Sequence, residues 1–230
     1  MNIGFFLMLL IGGFGLLLFP GPVLANRIIV FGIDETGSFT MRERGLSLAV
    51  SMIRDLDGGD VLYARRITGR SYNDDCSLFR LKVPPIPPAP ANKFDRRAHL
   101  EWERQVKRAR AVQAEAISIL SNLSPVRAPK TDIWGFLAAA ADRFKIEDGT
   151  DMRMIILASD MHDNVGCRIP LDLLGSVVVV VAFESKENAA STQKLKSYWT
   201  QTLKSCKAQK VIFLPPDSQF SLRRPAKEGK

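Results

Sequence analysis

Five side chains in this sequence offer the oxygen atoms on which a divalent cation could be held. Asp34, Thr36 and Ser38 lie together in Ile33-Asp34-Glu35-Thr36-Gly37-Ser38; Thr131 and Asp160 follow far along the chain. Two carboxylates and three hydroxyls make a hard, all-oxygen set, suited to Mg²⁺ or Mn²⁺ with water completing an octahedron. Asp34 stands where the apolar run Arg27-Ile28-Ile29-Val30-Phe31-Gly32-Ile33 turns polar, and Asp160 closes Met154-Ile155-Ile156-Leu157-Ala158-Ser159. Both acids therefore sit where a strand would end.

Other chemistries fit these residues less well. Glu35 separates Asp34 from Thr36, so the Asp-Thr-Gly of aspartic proteases is absent. An Asp34 nucleophile for phosphoryl transfer would want an acid two residues on, where Thr36 stands. A zinc site at Asp160 and His162 lacks a His partner motif in a chain with two histidines. Taken singly, Asp34 and Asp160 suit turns, and Thr131 suits a helix cap.

The elements that must position these groups are legible as periodicities. The spacing predicts a helix over 39–56, with Leu48, Met52 and Leu56 on one face. Residues 61–68 and 77–83 read as strands joined by the polar turn Gly69 to Cys76, a connection short enough for an antiparallel hairpin. Pro84-Pro85-Ile86-Pro87-Pro88-Ala89-Pro90 is a stiff polyproline spacer. A long helix is expected over 94–123 and another over 132–144, started by Thr131. Residues 154–158 and 176–183 are continuous apolar runs, and the five valines Val177 to Val181 suit a strand buried on both faces. A helix over 194–207 and a strand over 211–214 complete the pattern.

Strands alternating with helices, with one hairpin, predict a doubly wound, mostly parallel α/β sheet with one antiparallel edge strand and helices on both faces. Ligands of such sheets bind beyond the carboxyl ends of the strands where strand order reverses. The first and fourth strands would flank that point, so Asp34 and Asp160 would meet there, with Thr131 on an intervening loop.

From Arg27 to about Pro215 the sequence resembles the von Willebrand factor A (vWA) family and its metal-ion-dependent adhesion site. That family's Asp-x-Ser-x-Ser is matched by Asp34-x-Thr36-x-Ser38, its Thr-containing loop and helix by Lys130-Thr131-Asp132-Ile133-Trp134-Gly135, and its Thr-Asp-Gly by Ser159-Asp160-Met161. The departures are Thr36, which keeps a hydroxyl, and Met161 in place of the glycine. The resemblance implies a Rossmann-like fold and a non-enzymatic protein-binding module. Asp34, Thr36, Ser38, Thr131 and Asp160 would hold Mg²⁺ or Mn²⁺, and an Asp or Glu of a partner protein would fill the remaining position. The alternatives are a metal-independent assembly scaffold docking through the basic 94–123 helix and, below that, an Mg²⁺-dependent phosphoesterase.

The first 25 residues carry no charge. An apolar run from Phe5 to Phe19, then Pro20-Gly21-Pro22 and Val23-Leu24-Ala25, reads as a leader cut before Asn26. Secretion or a periplasmic location follows, with membrane attachment through residues 4–19 if the segment stays. The expected division is residues 1–25 as leader, 26–216 as the vWA-like domain and 217–230 as a basic, disordered tail. The net charge of +8 resides outside the leader and suits nucleic acid, an anionic surface or an acidic protein partner, or equally solubility alone. Lys93 to Arg110 carries seven basic against three acidic residues, a solvated helix face; no nucleic acid is expected. With three cysteines, Cys76 and Cys167 are the candidate disulfide, and three free thiols the alternative.

Overall fold

The computed structural model describes residues 26–147, 152–166, 168–184 and 188–223. The proposed leader and Cys167 lie outside the described residues. In chain order the elements are β1 (Arg27–Asp34), α1 (Arg42–Arg54), β2 (Val61–Ile67), β3 (Ser77–Lys82), α2 (Arg96–Ser121), α3 (Ile133–Ile146), β4 (Met152–Ala158), β5 (Val177–Val181), α4 (Ala189–Ser205) and β6 (Lys210–Phe213). One six-stranded sheet has the order β3-β2-β1-β4-β5-β6. Only the β2–β3 pair is antiparallel. This is the doubly wound, mostly parallel α/β sheet with one antiparallel edge strand expected from the alternating pattern.

Every residue of β1 is buried, because helices cover both faces of the sheet. Ile29, Phe31 and Ile33 join the side chains of α1 and α2 in one core layer. Ile28 and Val30 face the other way, toward α3 and α4. The strand period of two thus feeds two cores from one strand. Gly32 is where α3 comes closest to the sheet. A Cβ there would lie 2.6 and 2.7 Å from two ring carbons of Phe136 and 2.8 Å from Ile67 Cδ1. Gly32→Ala is therefore expected to cost about 1–3 kcal/mol through overpacking, read as a lowered urea midpoint. Adding Phe136→Leu should return part of that loss; no recovery would place the strain elsewhere.

Several element ends differ from the sequence reading. Helix α1 begins at Arg42, not at Phe39, because the chain from Thr36 first makes a turn closed by Phe39 N–H donating to Thr36 O at 3.3 Å. Helix α4 begins at Ala189, five residues before the expected start, since the Asn188 side chain accepts from Ser191 N–H at 2.9 Å and caps it. The expected tail is also corrected in part. Leu222 is 6% exposed and belongs to the core beside α1, and Arg223 Nε pairs with Asp55 at 2.7 Å. Asp55 also accepts from Ser221 Oγ at 2.6 Å. Residues 217–223 are thus part of the domain, and 224–230 lie outside the described residues.

The proline segment runs back to α2, where the half-buried Trp102 donates through Nε1 to Pro87 O at 3.1 Å. Phe94, just before α2, is 95% exposed, and Arg96, Arg97, Arg104, Lys107 and Arg108 in the amino-terminal half of α2 are exposed too, a solvated face as the charge pattern suggested. Among the described residues no helix is long and apolar enough to cross a membrane.

Candidate metal centre

Parallel pairing of β1 with β4 sets Ile33 beside Ala158, so the chain leaves both strands at one edge of the sheet, where strand order reverses. Asp34 is fully buried there and Asp160 nearly so. Gly45 lets α1 press on these strand ends: a Cβ would come 2.6 Å from Ala158 Cβ and 3.0 Å from Ile33 Cδ1.

Four of the five candidate ligands form one hydrogen-bonded chain. Asp34 Oδ1 accepts from Thr36 N–H at 3.0 Å and from Thr36 Oγ1 at 2.7 Å. Thr131 Oγ1 donates to Thr36 Oγ1 at 3.1 Å, and Ser38 Oγ lies 3.1 Å from the same oxygen. Since the Thr36 proton goes to Asp34, Ser38 must be the donor to Thr36. The hydroxyl protons all point inward along this chain, so Ser38, which is exposed, keeps its lone pairs toward solvent. Burial raises the Asp34 carboxyl from 3.8 to about 6, against the hydrogen bonds from Ser159 and Thr36, and the charge of Asp160 adds a smaller push in the same direction. Among the described residues neither acid forms a salt bridge.

Thr131 reaches Thr36 because it is not the helix cap. Asp132 caps α3 instead, accepting from Gly135 N–H at 2.7 Å, which frees the Thr131 hydroxyl. The loop after β4 holds Thr131 from the other side. Asn164 Oδ1 accepts from Thr131 N–H at 2.8 Å, Asn164 N–H donates to Thr131 O at 3.1 Å, and Asp163 Oδ1 accepts from Ile133 N–H at 2.9 Å. Met161, where the resembled family has glycine, keeps a left-handed backbone at φ 63°. Its side chain is fully buried in the core and its carbonyl accepts from Trp199 Nε1 at 2.8 Å. Packing and that hydrogen bond hold a conformation that a long side chain disfavours.

Three contributors were not singled out from sequence. Ser159 Oγ donates to Asp34 Oδ2 at 2.7 Å and accepts from Met161 N–H at 2.9 Å, so it fixes both the acid and the turn. Glu35, seen in the sequence only as a spacer, is buried and accepts from Arg42 Nε at 2.8 Å and Val126 N–H at 3.1 Å. With Ala128 N–H donating to Glu35 O at 3.0 Å, it fastens the loop leading to Thr131 onto the Asp34 loop. Asn164 is the third. A serine in a turn was a visible signal; a buried glutamate and a loop asparagine carry no spacing that distinguishes them.

His162 is half-buried, and its backbone N–H donates to Asp160 Oδ1 at 3.1 Å. Among the described residues no three His, Cys, Asp or Glu side chains gather as metal ligands, so the zinc reading gains nothing. Cys76 is a buried free thiol whose Sγ lies 3.4 Å from Thr68 Oγ1. Its proposed partner Cys167 is outside the described residues, so the pairing rests on the sequence alone.

The donor set suits a small hard cation. Asp34 and Asp160 bring two carboxylates out of water with no basic side chain paired to them among the described residues. Thr36, Ser38 and Thr131 bring hydroxyl oxygens to the same place, all matched to Mg²⁺ or Mn²⁺.

No protein-family model matches the sequence, and no curated protein matches it. Among solved structures, proximal thread matrix protein 1 from the mussel byssus is similar over 84% of this chain and 42% of its own, at 12% identity and a TM-score of 0.48. A von Willebrand factor type A protein from Catenulispora acidiphila is similar over 83% of this chain and 38% of its own, at 13% identity and a TM-score of 0.45. The chain thus spans about two fifths of the length of each.

Proposed function

We propose that this chain is a protein-interaction module that captures a carboxylate of its partner through a divalent cation. The observation that carries this reading is the hydrogen-bonded array of Asp34, Thr36, Ser38 and Thr131 beside Asp160. It stands at the strand-order reversal, with two buried acids that no side-chain cation neutralises among the described residues. Asp34, Thr36, Ser38, Thr131 and Asp160 would hold Mg²⁺ or Mn²⁺, some through water. The ion supplies a Lewis-acidic position for an Asp or Glu of the partner. Ser159 and Thr36 orient the Asp34 carboxylate, Asn164 positions Thr131, and burial keeps competing water from Asp34. Nothing in the arrangement assigns a nucleophile or a general base to a reacting bond, and binding without catalysis is the proposed role. Export, directed by the uncharged segment 1–25, belongs to the same proposal.

Thermal unfolding in EDTA and then in millimolar Mg²⁺ or Mn²⁺ tests it. Metal at about 100 times its dissociation constant should add about 2.7 kcal/mol, several degrees for a domain of this size. The shift should vanish in Asp34→Ala, together with metal-dependent partner capture. An unshifted wild-type protein would transfer the function to the metal-independent scaffold reading. That second reading draws on the exposed, basic amino-terminal half of α2.

A further inference from the structure

Beside the candidate metal centre a cavity of about 640 Å³ opens between the β2–β3 turn and the loop that leads to Thr131. Its basic walls are Arg66, Arg70, Arg127 and Lys130; among the described residues Asp75 is its one acidic wall. Arg66 is engaged, donating to Ser124 O at 3.0 Å and standing 3.6 Å from Glu35 Oε1. The side chains of Arg70, Arg127 and Lys130 are exposed and make no hydrogen bond or ion pair among the described residues. The cavity is built into the same frame as the metal centre. Lys130 directly precedes Thr131, and Ala128 bridges to Thr36 in a parallel β-bridge. Val165, on another wall, follows the Asn164 that holds Thr131. Gly69 lies against Lys130, keeping the turn and the loop in contact across the cavity floor: a Cβ on Gly69 would meet Lys130 Cβ at 3.2 Å.

We infer that this cavity receives an acidic peptide segment of the partner protein, one of whose carboxylates coordinates the metal while neighbouring ones meet Arg70, Arg127 and Lys130. The inference rests on the proposed metal function for its first anchor. The charge of the wall decides the rest. Three cations that are unpaired among the described residues, set around one cavity, favour several carboxylates in sequence over a lone one. An extended strand advances about 3.3 Å per residue, so acidic residues that follow the metal-bound one in sequence would present carboxylates at successive points along the basic wall. Such a site specifies an acidic run, whereas the metal alone would accept any exposed Asp or Glu.

The test uses the full chain and two labelled peptides with blocked termini. One carries a single glutamate among glycines, and in the other that glutamate is followed by three more. In Mg²⁺ the wild-type chain should bind the second roughly tenfold more tightly, as three exposed ion pairs of modest strength would give. Arg70→Gln/Arg127→Gln/Lys130→Gln should lose that preference while keeping both the metal-induced thermal shift and the affinity for the single-glutamate peptide. A triple variant that keeps the preference overturns the inference. The metal reading fails separately, through an absent thermal shift in wild type. In that case salt-sensitive binding of the acidic peptide in EDTA, lost in the triple variant, still supports the cavity. Wild type showing no preference in either condition overturns it. So does a triple variant that loses only binding to phosphatidylserine vesicles.

Discussion

Asp34→Asn is expected to stabilise the metal-free protein at neutral pH while abolishing its response to metal. Burial and the charge of Asp160 raise the Asp34 carboxyl from 3.8 to about 6 in the folded chain. Below 3.8 the acid is protonated whether the chain is folded or not, and it contributes no pH dependence. Between 3.8 and 6 the unfolded chain has released its proton while the folded chain retains it, so rising pH favours unfolding. Above 6 the full penalty stands, about 2–3 kcal/mol at about 1.4 kcal/mol per pH unit. Asparagine removes it at the cost of the hydrogen bond that Ser159 Oγ donates to Asp34 Oδ2. Its Oδ1 can accept from Thr36 N–H and Thr36 Oγ1, and its Nδ2 can donate to Ser159 Oγ. Thermal unfolding in EDTA should therefore show the variant melting several degrees above wild type at pH 7.5, with the difference gone near pH 4. In Mg²⁺ wild type should close the gap and the variant should stay where it was. A variant less stable than wild type at pH 7.5 in EDTA would mean that the carboxylate is not held at a cost and would remove this support for a cation site.

The largest loss is expected at the opposite end of β1. Arg27 and Asp60 are both buried, and their carboxylate–guanidinium contact is held by Arg27 Nε at 2.9 Å and by Arg27 Nη2. Asp60 also accepts the backbone N–H groups of Arg27 at 3.0 Å and Asp57 at 2.8 Å. Arg27 Nη1 donates to Leu222 O at 2.5 Å, so the pair ties the start of β1 to β2 and to the carboxyl-terminal segment. Asp60→Ala leaves the buried guanidinium with only the half-exposed Asp57 carboxylate at 3.1 Å and the Asp55 and Leu222 carbonyls, and removes the acceptor of the Arg27 and Asp57 N–H groups, so about 3–5 kcal/mol should be lost in urea unfolding. Arg27→Met on that background should restore part of the stability, because the stranded charge is then gone. A loss under about 1 kcal/mol for Asp60→Ala would show that solvent replaces Asp60 and that the pair is not buried in solution.

These two sites illustrate unequal legibility. The apolar run Arg27–Ile33 announced a strand, and the valines Val177 to Val181 announced one buried on both faces. Covered strands need apolar residues at consecutive positions, and that need is local. The order of strands followed from the short β2–β3 connection and the long helical ones, since a hairpin and a crossover differ in length. Asp34, Thr36 and Ser38 were visible for a similar reason: alternate positions in one loop can face one point.

Convergence was a different matter. Whether Thr131 caps α3 or faces Thr36 depended on Asp132 taking the cap, a competition between adjacent residues that each type could win. The buried Glu35, the clasp made by Asn164 and the tie from Arg27 to Leu222 all join residues far apart in the chain. No periodicity records such pairs, because their energy comes from desolvation and partner geometry created only on folding. The same holds for the basic cavity, whose walls come from the β2–β3 turn and from the loop before Thr131, segments that read separately as ordinary polar loops. The sequence alone thus determined the alternation of elements, the sheet class and the chemical identity of the candidate ligands. The tertiary structure decided which hydroxyls meet, how far Asp34 is withdrawn from water and what lies beside it, because burial and long-range contact are properties of the folded chain.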